Sequence, residues 1–271
     1  MQLTPAQKTH LREHGFVQLP GIVPRRLIDN TLRSINIALS GGTTELCSGD
    51  PDPTGISKAV DALQGTSSIN DLVERSPLKG VSEDLLGEVN WHLKPKGWIV
   101  LRYPRPDTDP PKRPNYHIDG IYSPDEEFPD EAYGRIPQGE VNSSSMKLMV
   151  YLSDVPKPDS GNFTLLPGSH ITMAKHLKKV GWETLKKGCP KIPVGEPRQI
   201  LGRAGDAVIC HYLLLHDGEK NRSPHIRYAA FFNLSHARHS AHWRESLCDP
   251  FLEWPGLSDA AGKSRSKPRA S

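Results

Sequence analysis

Cysteine is scarce in this chain. Four occur in 271 residues, at Cys47, Cys189, Cys210 and Cys248, and none forms a CxxC pair. That spacing supports neither a zinc ribbon nor a thioredoxin-type motif, and the expected state is four reduced thiols. Long apolar runs are also missing, and none approaches the roughly 18 residues of a membrane span. The N-terminal stretch MQLTPAQKTHLREHG has no apolar core of a secretory signal. The closing Arg-Ala-Ser is not a peroxisomal signal of the SKL type. The expectation is therefore an intracellular, cytoplasmic protein without a membrane span. Neither charge sign dominates: 34 Lys and Arg stand against 31 Asp and Glu, a net +3. That balance argues against a nucleic-acid partner or an acidic membrane surface. No internal repeat is present, and no linker is strong enough to split the chain.

Turn formers are plentiful, with 25 Pro and 23 Gly, which points to a loop-rich globular protein. Thr4-Pro5-Ala6-Gln7 reads as a capping box with proline at the first helical position, so a short helix should run to Gly15. Phe16 to Leu19 alternates like a strand. Pro24 opens a second helix, whose Ile28, Leu32, Ile35 and Leu39 form one apolar stripe ending at Gly41-Gly42. Residues 43–70 read mostly as loop, with short helices expected after Ser68 and near 81–87. Strands are expected at Trp98–Tyr103, Met146–Leu152, Phe163–Leu166, Ala207–Tyr212 and Arg227–Leu234. Short strands separated by turn-rich loops suggest a sandwich or barrel. The loops 104–116 and 122–143 have the length of lids or binding loops. The basic tail 262–271 reads as disordered, leaving residues 1–261 as a single domain.

His117-Ile118-Asp119 places an imidazole and a carboxylate two residues apart, on one face of an extended segment. Two histidines and one carboxylate on a face of an octahedron leave three positions open, the arrangement of non-haem Fe(II) oxygenases. By itself HxD is weak in a chain with 12 histidines. A second stretch strengthens it. An apolar strand, Ala207 to Tyr212, leads through three leucines into His216, and Arg227 follows eleven residues later at the start of RYAAFFNL. An arginine fork grips a carboxylate with two charge-assisted hydrogen bonds.

Four stretches in this order resemble the phytanoyl-CoA hydroxylase (PhyH) family of Fe(II)/2-oxoglutarate dioxygenases. They are EHGFVQLPGIVP, the HxD at His117 and Asp119, SGNFTLLPGSH, and GDAVICHYLLLHDGEKNRSPHIRYAAFF, together spanning roughly residues 10 to 234. The resemblance implies a mainly β fold with flanking helices around a double-stranded β-helix, a jelly-roll or cupin-like core. It implies His117, Asp119 and His216 as iron ligands and Arg227 as the partner of the distal carboxylate of 2-oxoglutarate. The implied chemistry consumes O2, converts 2-oxoglutarate to succinate and CO2, and oxidises a small or medium organic substrate, most often by hydroxylation. Desaturation, epoxidation or cyclisation at the same site, or a jelly-roll binding protein without turnover, are the alternatives. Related halogenases carry a small residue where this chain has Asp119, which favours hydroxylation over halogenation. The chain departs from the family pattern at Ser160, Asn162-Phe163 and Asp217-Gly218, and has Met149 where some members carry Trp. The substrate is therefore not carried over.

Three further residues are candidates near the cofactor. Lys147 shares a strand face with Met149 and Tyr151 and would meet the cofactor or an anionic substrate if that face points inward. Asn115 precedes His117 by two residues, where some relatives place a polar contact to 2-oxoglutarate. Arg102 lies on the strand before HxD and either faces the site or pairs with an acidic loop. Arg105, Lys112 and Arg113 make the loop before HxD basic, compatible with an anionic substrate. His170 reads as structural, closing a loop after the strand, His211 as a packing residue, and His236, His239 and His242 as a solvated helix or loop.

Overall fold

In the computed structural model, residues 1–41, 62–91, 97–106, 115–121 and 136–258 are described. Cys47, Lys112, Arg113, the tail 262–271 and much of the loops 104–116 and 122–143 lie outside them.

Helix α1 (Pro5–His14) starts from the expected capping box: Gln7 N–H donates to Thr4 Oγ1 at 3.2 Å and Thr4 N–H to Gln7 Oε1 at 2.9 Å. It ends at Gly15, and strand β1 (Phe16–Leu19) follows at once. Helix α2 (Arg25–Gly41) buries Leu27, Ile28, Thr31 and Ile35, while Leu32 and Leu39 are only half-buried. The apolar stripe is thus rotated slightly from the expected one, centred on Ile28 and Ile35. Helices α3 (Ser67–Glu74) and α4 (Leu78–Leu86) complete the helical layer and bury Ile69, Leu72, Leu78 and Leu85.

Among the described residues, eight strands form two antiparallel sheets. The remaining strands are β2 (Trp98–Arg102), β3 (Met146–Tyr151), β4 (Phe163–Leu165), β5 (Arg198–Ile200), β6 (Ala207–His211), β7 (His216–Gly218) and β8 (Arg227–Leu234). The larger sheet has the order β1-β6-β3-β8-β2 and the smaller β5-β4-β7. Alternation along each strand gives the larger sheet two apolar faces. One face, with Ile99, Leu148, Ile209 and Phe232, packs on the helices. The other, with Met149, Tyr151, Val208 and Phe231, packs on Phe163, Leu165 and Ile200 of the smaller sheet. Every residue of β3 is buried for that reason. The fold is the expected mainly β jelly roll with flanking helices.

Several short elements among the described residues escape the sequence reading. Strands β5 and β7 are three residues each, too short to show a period of two. Helix α5 (Ser169–Val180) and the 3₁₀ turn Trp182–Lys187 follow Pro167-Gly168. His170 therefore opens a helix rather than closing a loop. Helix α6 (His239–Ser246) carries two of the three histidines read as solvated, but His239 is buried against Glu253. No helix among the described residues is long and apolar enough to cross a membrane.

Candidate metal centre

The mouth of the sandwich is built where the segment after residue 115 runs beside β7. His117 and His216 exchange both backbone hydrogen bonds, at 3.1 and 3.0 Å, in an isolated antiparallel bridge. The HxD segment is thus not a regular strand: His117 sits on the bridge and Asp119 in the turn that follows. The turn is held tightly. Asn142 N–H donates to Gly120 O at 2.7 Å, and Tyr212 Oη donates to the backbone oxygen of Asp119 at 2.8 Å. Gly120 has φ +70°, and a Cβ there would fall 1.9 Å from Asn142 O. Only glycine fits that combination of left-handed backbone and close approach.

This framework brings the three expected ligands together: one ligand atom from each of His117, Asp119 and His216 lies within 4.8 Å of the others. Asp119 Oδ1 is 3.3 Å from His216 Nε2 and 3.9 Å from His117 Nε2. Each imidazole is oriented by the carbonyl two residues before it, His117 Nδ1 to Asn115 O at 2.8 Å and His216 Nδ1 to Leu214 O at 2.9 Å. A carbonyl only accepts, so Nδ1 carries the proton in each ring and the Nε2 lone pair faces the carboxylate. Burial, with His216 close by, pushes His117 down to about 4. Burial alone would raise the Asp119 carboxyl, but the Lys147 ammonium beside it holds it well below the ordinary carboxylate range. Two imidazole Nε2 atoms and a carboxylate converge on one point. That donor set suits a divalent metal with open positions.

Arg227 opens β8 and is 3 % exposed. It donates from Nε to Gly161 O at 2.8 Å and from Nη1 to Val100 O at 3.2 Å. Among the described residues no carboxylate lies within ion-pair distance of it. Burial and the neighbouring Arg102 push its guanidinium down to about 9, which leaves it charged at neutral pH. A buried cation served by neutral carbonyls is incompletely compensated, and an incoming carboxylate would complete it. Arg102 is Arg227's partner across the β2–β8 pair. Its guanidinium lies over Gly218, where a Cβ would meet Nη2 at 2.6 Å. Between this cationic end and the His117–Asp119–His216 cluster the interior is lined by Val100 and Ala229 and then by aromatic rings. Trp98 stacks on Phe231 at 5.8 Å, and Phe163 lies 5.8 Å from Phe231 and 5.4 Å from the His216 ring.

The remaining candidates divide. Lys147 points inward, as its inward reading required, with Nζ on Asp119 Oδ2 and over the faces of Trp98 and Phe231. Asn115 acts here through its backbone: its carbonyl orients His117, and its N–H donates to Asp217 Oδ2 at 2.9 Å. The three aromatic rings and Tyr212 were not singled out from sequence. The aromatic signal was available, since Trp98 and Phe231 alternate in phase with Arg102 and Arg227.

The profile of the phytanoyl-CoA dioxygenase (PhyH) family matches residues 11–229. The chain belongs to the PhyH family. PhyH membership makes it a non-haem enzyme dependent on iron and 2-oxoglutarate, and the converging His117, Asp119 and His216 agree with that. No curated protein sequence matches the chain. Solved structures share the fold at low identity. The non-haem α-ketoglutarate-dependent carbocyclase SnoK of nogalamycin biosynthesis is 20% identical, with TM-score 0.54 over 86% of this chain and 83% of SnoK. The epimerase SnoN of the same biosynthesis is 19% identical, with TM-score 0.53 over 85% and 79% of the two chains. AviO1 of Streptomyces viridochromogenes Tue57 is 16% identical, with TM-score 0.52 over 85% and 93%.

Proposed function

We propose that this PhyH protein hydroxylates a small or medium organic substrate, working as a single domain over residues 1–261 in the cytoplasm. Support comes foremost from one observation: two imidazole lone pairs and an ionised carboxylate converge inside a barrel whose other end holds a buried arginine. His117, Asp119 and His216 would hold the iron. Arg227, with Arg102 beside it, would take the distal carboxylate of 2-oxoglutarate. Asn115 would contribute through its carbonyl, which fixes the His117 tautomer. Iron, 2-oxoglutarate and O2 together supply the oxidising power, with succinate and CO2 released as one oxygen atom goes to substrate. The chain's own residues do the positioning. Tyr212 fixes the Asp119 backbone, the carbonyls of Asn115 and Leu214 fix the imidazoles, and Phe163, Phe231 and Trp98 exclude water from the reacting centre. The basic composition of the loop carrying Arg105, Lys112 and Arg113 is compatible with an anionic substrate.

The test is anaerobic. Fe(II) and 2-oxoglutarate are added to wild type, His216→Ala and Arg227→Ala, and the visible charge-transfer band of a metal-chelated 2-oxo acid is recorded. Wild type should show the band and His216→Ala should lose it. Arg227→Ala should weaken 2-oxoglutarate by about 2–5 kcal/mol, the cost of removing one partner of a buried charge pair. A wild type that binds neither iron nor 2-oxoglutarate defeats the oxygenase reading. Given the band, succinate release identifies substrates and product analysis separates hydroxylation from desaturation, epoxidation or cyclisation.

A further inference from the structure

We infer that Lys147 is a positioning residue for Asp119, confining that carboxylate to ligation through one oxygen. The inference rests on the iron-site reading above and deepens it. Asp119 divides its oxygens: Oδ1 faces His117 and His216, and Oδ2 is taken by Lys147 Nζ. The lysine side chain is 7% exposed. Its ammonium lies 4.9 Å from the centroid of Trp98 and 5.0 Å from that of Phe231. Two ring faces attract the cation and leave it little room to swing. No other carboxylate among the described residues lies within ion-pair distance of it, and a buried ammonium without a partner is costly. The pairing is therefore fixed from both sides.

The strand register keeps Lys147 away from the other cationic end. Lys147 lies opposite Asn233 on β8, while Arg227 begins that strand six residues earlier. Lys147 is thus not needed for the distal carboxylate of 2-oxoglutarate. What it governs is the count of free positions on the metal. Two imidazoles and a one-oxygen carboxylate leave three of six octahedral positions open. A carboxylate free to rotate could bring in its second oxygen and leave two. A 2-oxo acid takes two positions, so no place would remain for O2.

The experiment uses Co(II) as a spectroscopic probe, added to the whole protein without any 2-oxo acid. Wild type, Lys147→Met and Lys147→Arg are titrated, and the visible ligand-field spectrum and the Co(II) Kd are read. Lys147→Met should shift the spectrum towards a higher coordination number, as the released carboxylate brings its second oxygen to the metal. Lys147→Arg, which keeps a cationic donor, should give the wild-type spectrum and a Kd within threefold. If Lys147→Met fails to fold, Lys147→Gln takes its place: its shorter, uncharged amide should shift the spectrum in the same sense. A neutral variant with the wild-type spectrum overturns the inference and leaves the iron site standing. A wild type that binds no Co(II) overturns the iron site, and this inference with it.

Discussion

A methyl group placed on Gly218 would fall 2.6 Å from Nη2 of Arg102, a flexible group that can move aside. Gly218→Ala should therefore leave the fold nearly intact while displacing one of the two guanidiniums at the cationic end. The expected result is a 2-oxoglutarate Kd raised severalfold with Tm nearly unchanged; an unaltered Kd would remove Arg102 from the cofactor site. Gly120 is the opposite case. There a Cβ would strike the backbone oxygen of Asn142 at 1.9 Å, and φ is +70°. Backbone cannot yield as a side chain can, so Gly120→Ala should both lower Tm and abolish Fe(II) binding, read by titration of the folded fraction. Overpacking of this kind costs roughly 1–3 kcal/mol, with about 1–2 more for the left-handed backbone. The cluster of His117, Asp119 and His216 and the buried Arg227 are legible in sequence because HxD and the arginine eleven residues past His216 are spacing signals. The two glycines were not, because each answers to a partner distant in sequence: Arg102 for Gly218, Asn142 for Gly120.

Elements announced by local chemistry were readable for a related reason. The Thr4–Gln7 box and the stripe of Ile28 and Ile35 each lie within one segment, so caps and periodicity locate α1 and α2. Strands β5 and β7 exist through their pairing with β4, and three residues carry no pattern of their own. The C-terminal segment is held in the same non-local way. Glu253 is 2% exposed and accepts from Ser145 Oγ, at the foot of β3, and from His239 Nδ1 at 2.9 Å, with His242 Nδ1 at 3.2 Å. Burial would raise this carboxyl, yet the bonds from His239 and Ser145 hold it below its ordinary range. Glu253 thus ties the end of the described chain to β3 and to the turn after β8. Glu253→Leu should destabilise by about 3–5 kcal/mol, because it strands the buried donors of Ser145 and His239. Glu253→Gln should cost less. Chemical denaturation measures both, and equal losses would mean that the carboxylate's charge, which Gln lacks, and not its shape holds the segment.

Across the whole molecule, the larger sheet, helices α1 and α5 and the C-terminal segment meet at a pair of neutral histidines, which makes the fold sensitive to acid. His211 is clasped from two sides: Nδ1 accepts from Leu213 N–H at 3.0 Å and Nε2 donates to Pro250 O at 2.6 Å. His170, opening α5, donates from Nε2 to the Arg12 carbonyl of α1 at 3.2 Å, and its ring lies 5.1 Å from that of His211. Burial is the main cause that pushes His170 down to about 3 and His211 down to about 4. Both folded values lie below the unfolded value near 6.5, so the unfolded chain binds more protons as pH falls. The stability these rings contribute is therefore complete above about pH 6.5 and is lost as pH drops towards 4, at about 1.4 kcal/mol per pH unit for each histidine. His170→Gln and His211→Gln should each make the profile of unfolding free energy against pH shallower by one proton between pH 6 and 4, whatever they do to stability at pH 8. Because the slope counts protons and not contacts, it separates titration from lost packing. An unchanged slope in both variants would place the acid sensitivity elsewhere, in the carboxylates of Asp119 and Glu253, whose depressed values govern a lower pH range.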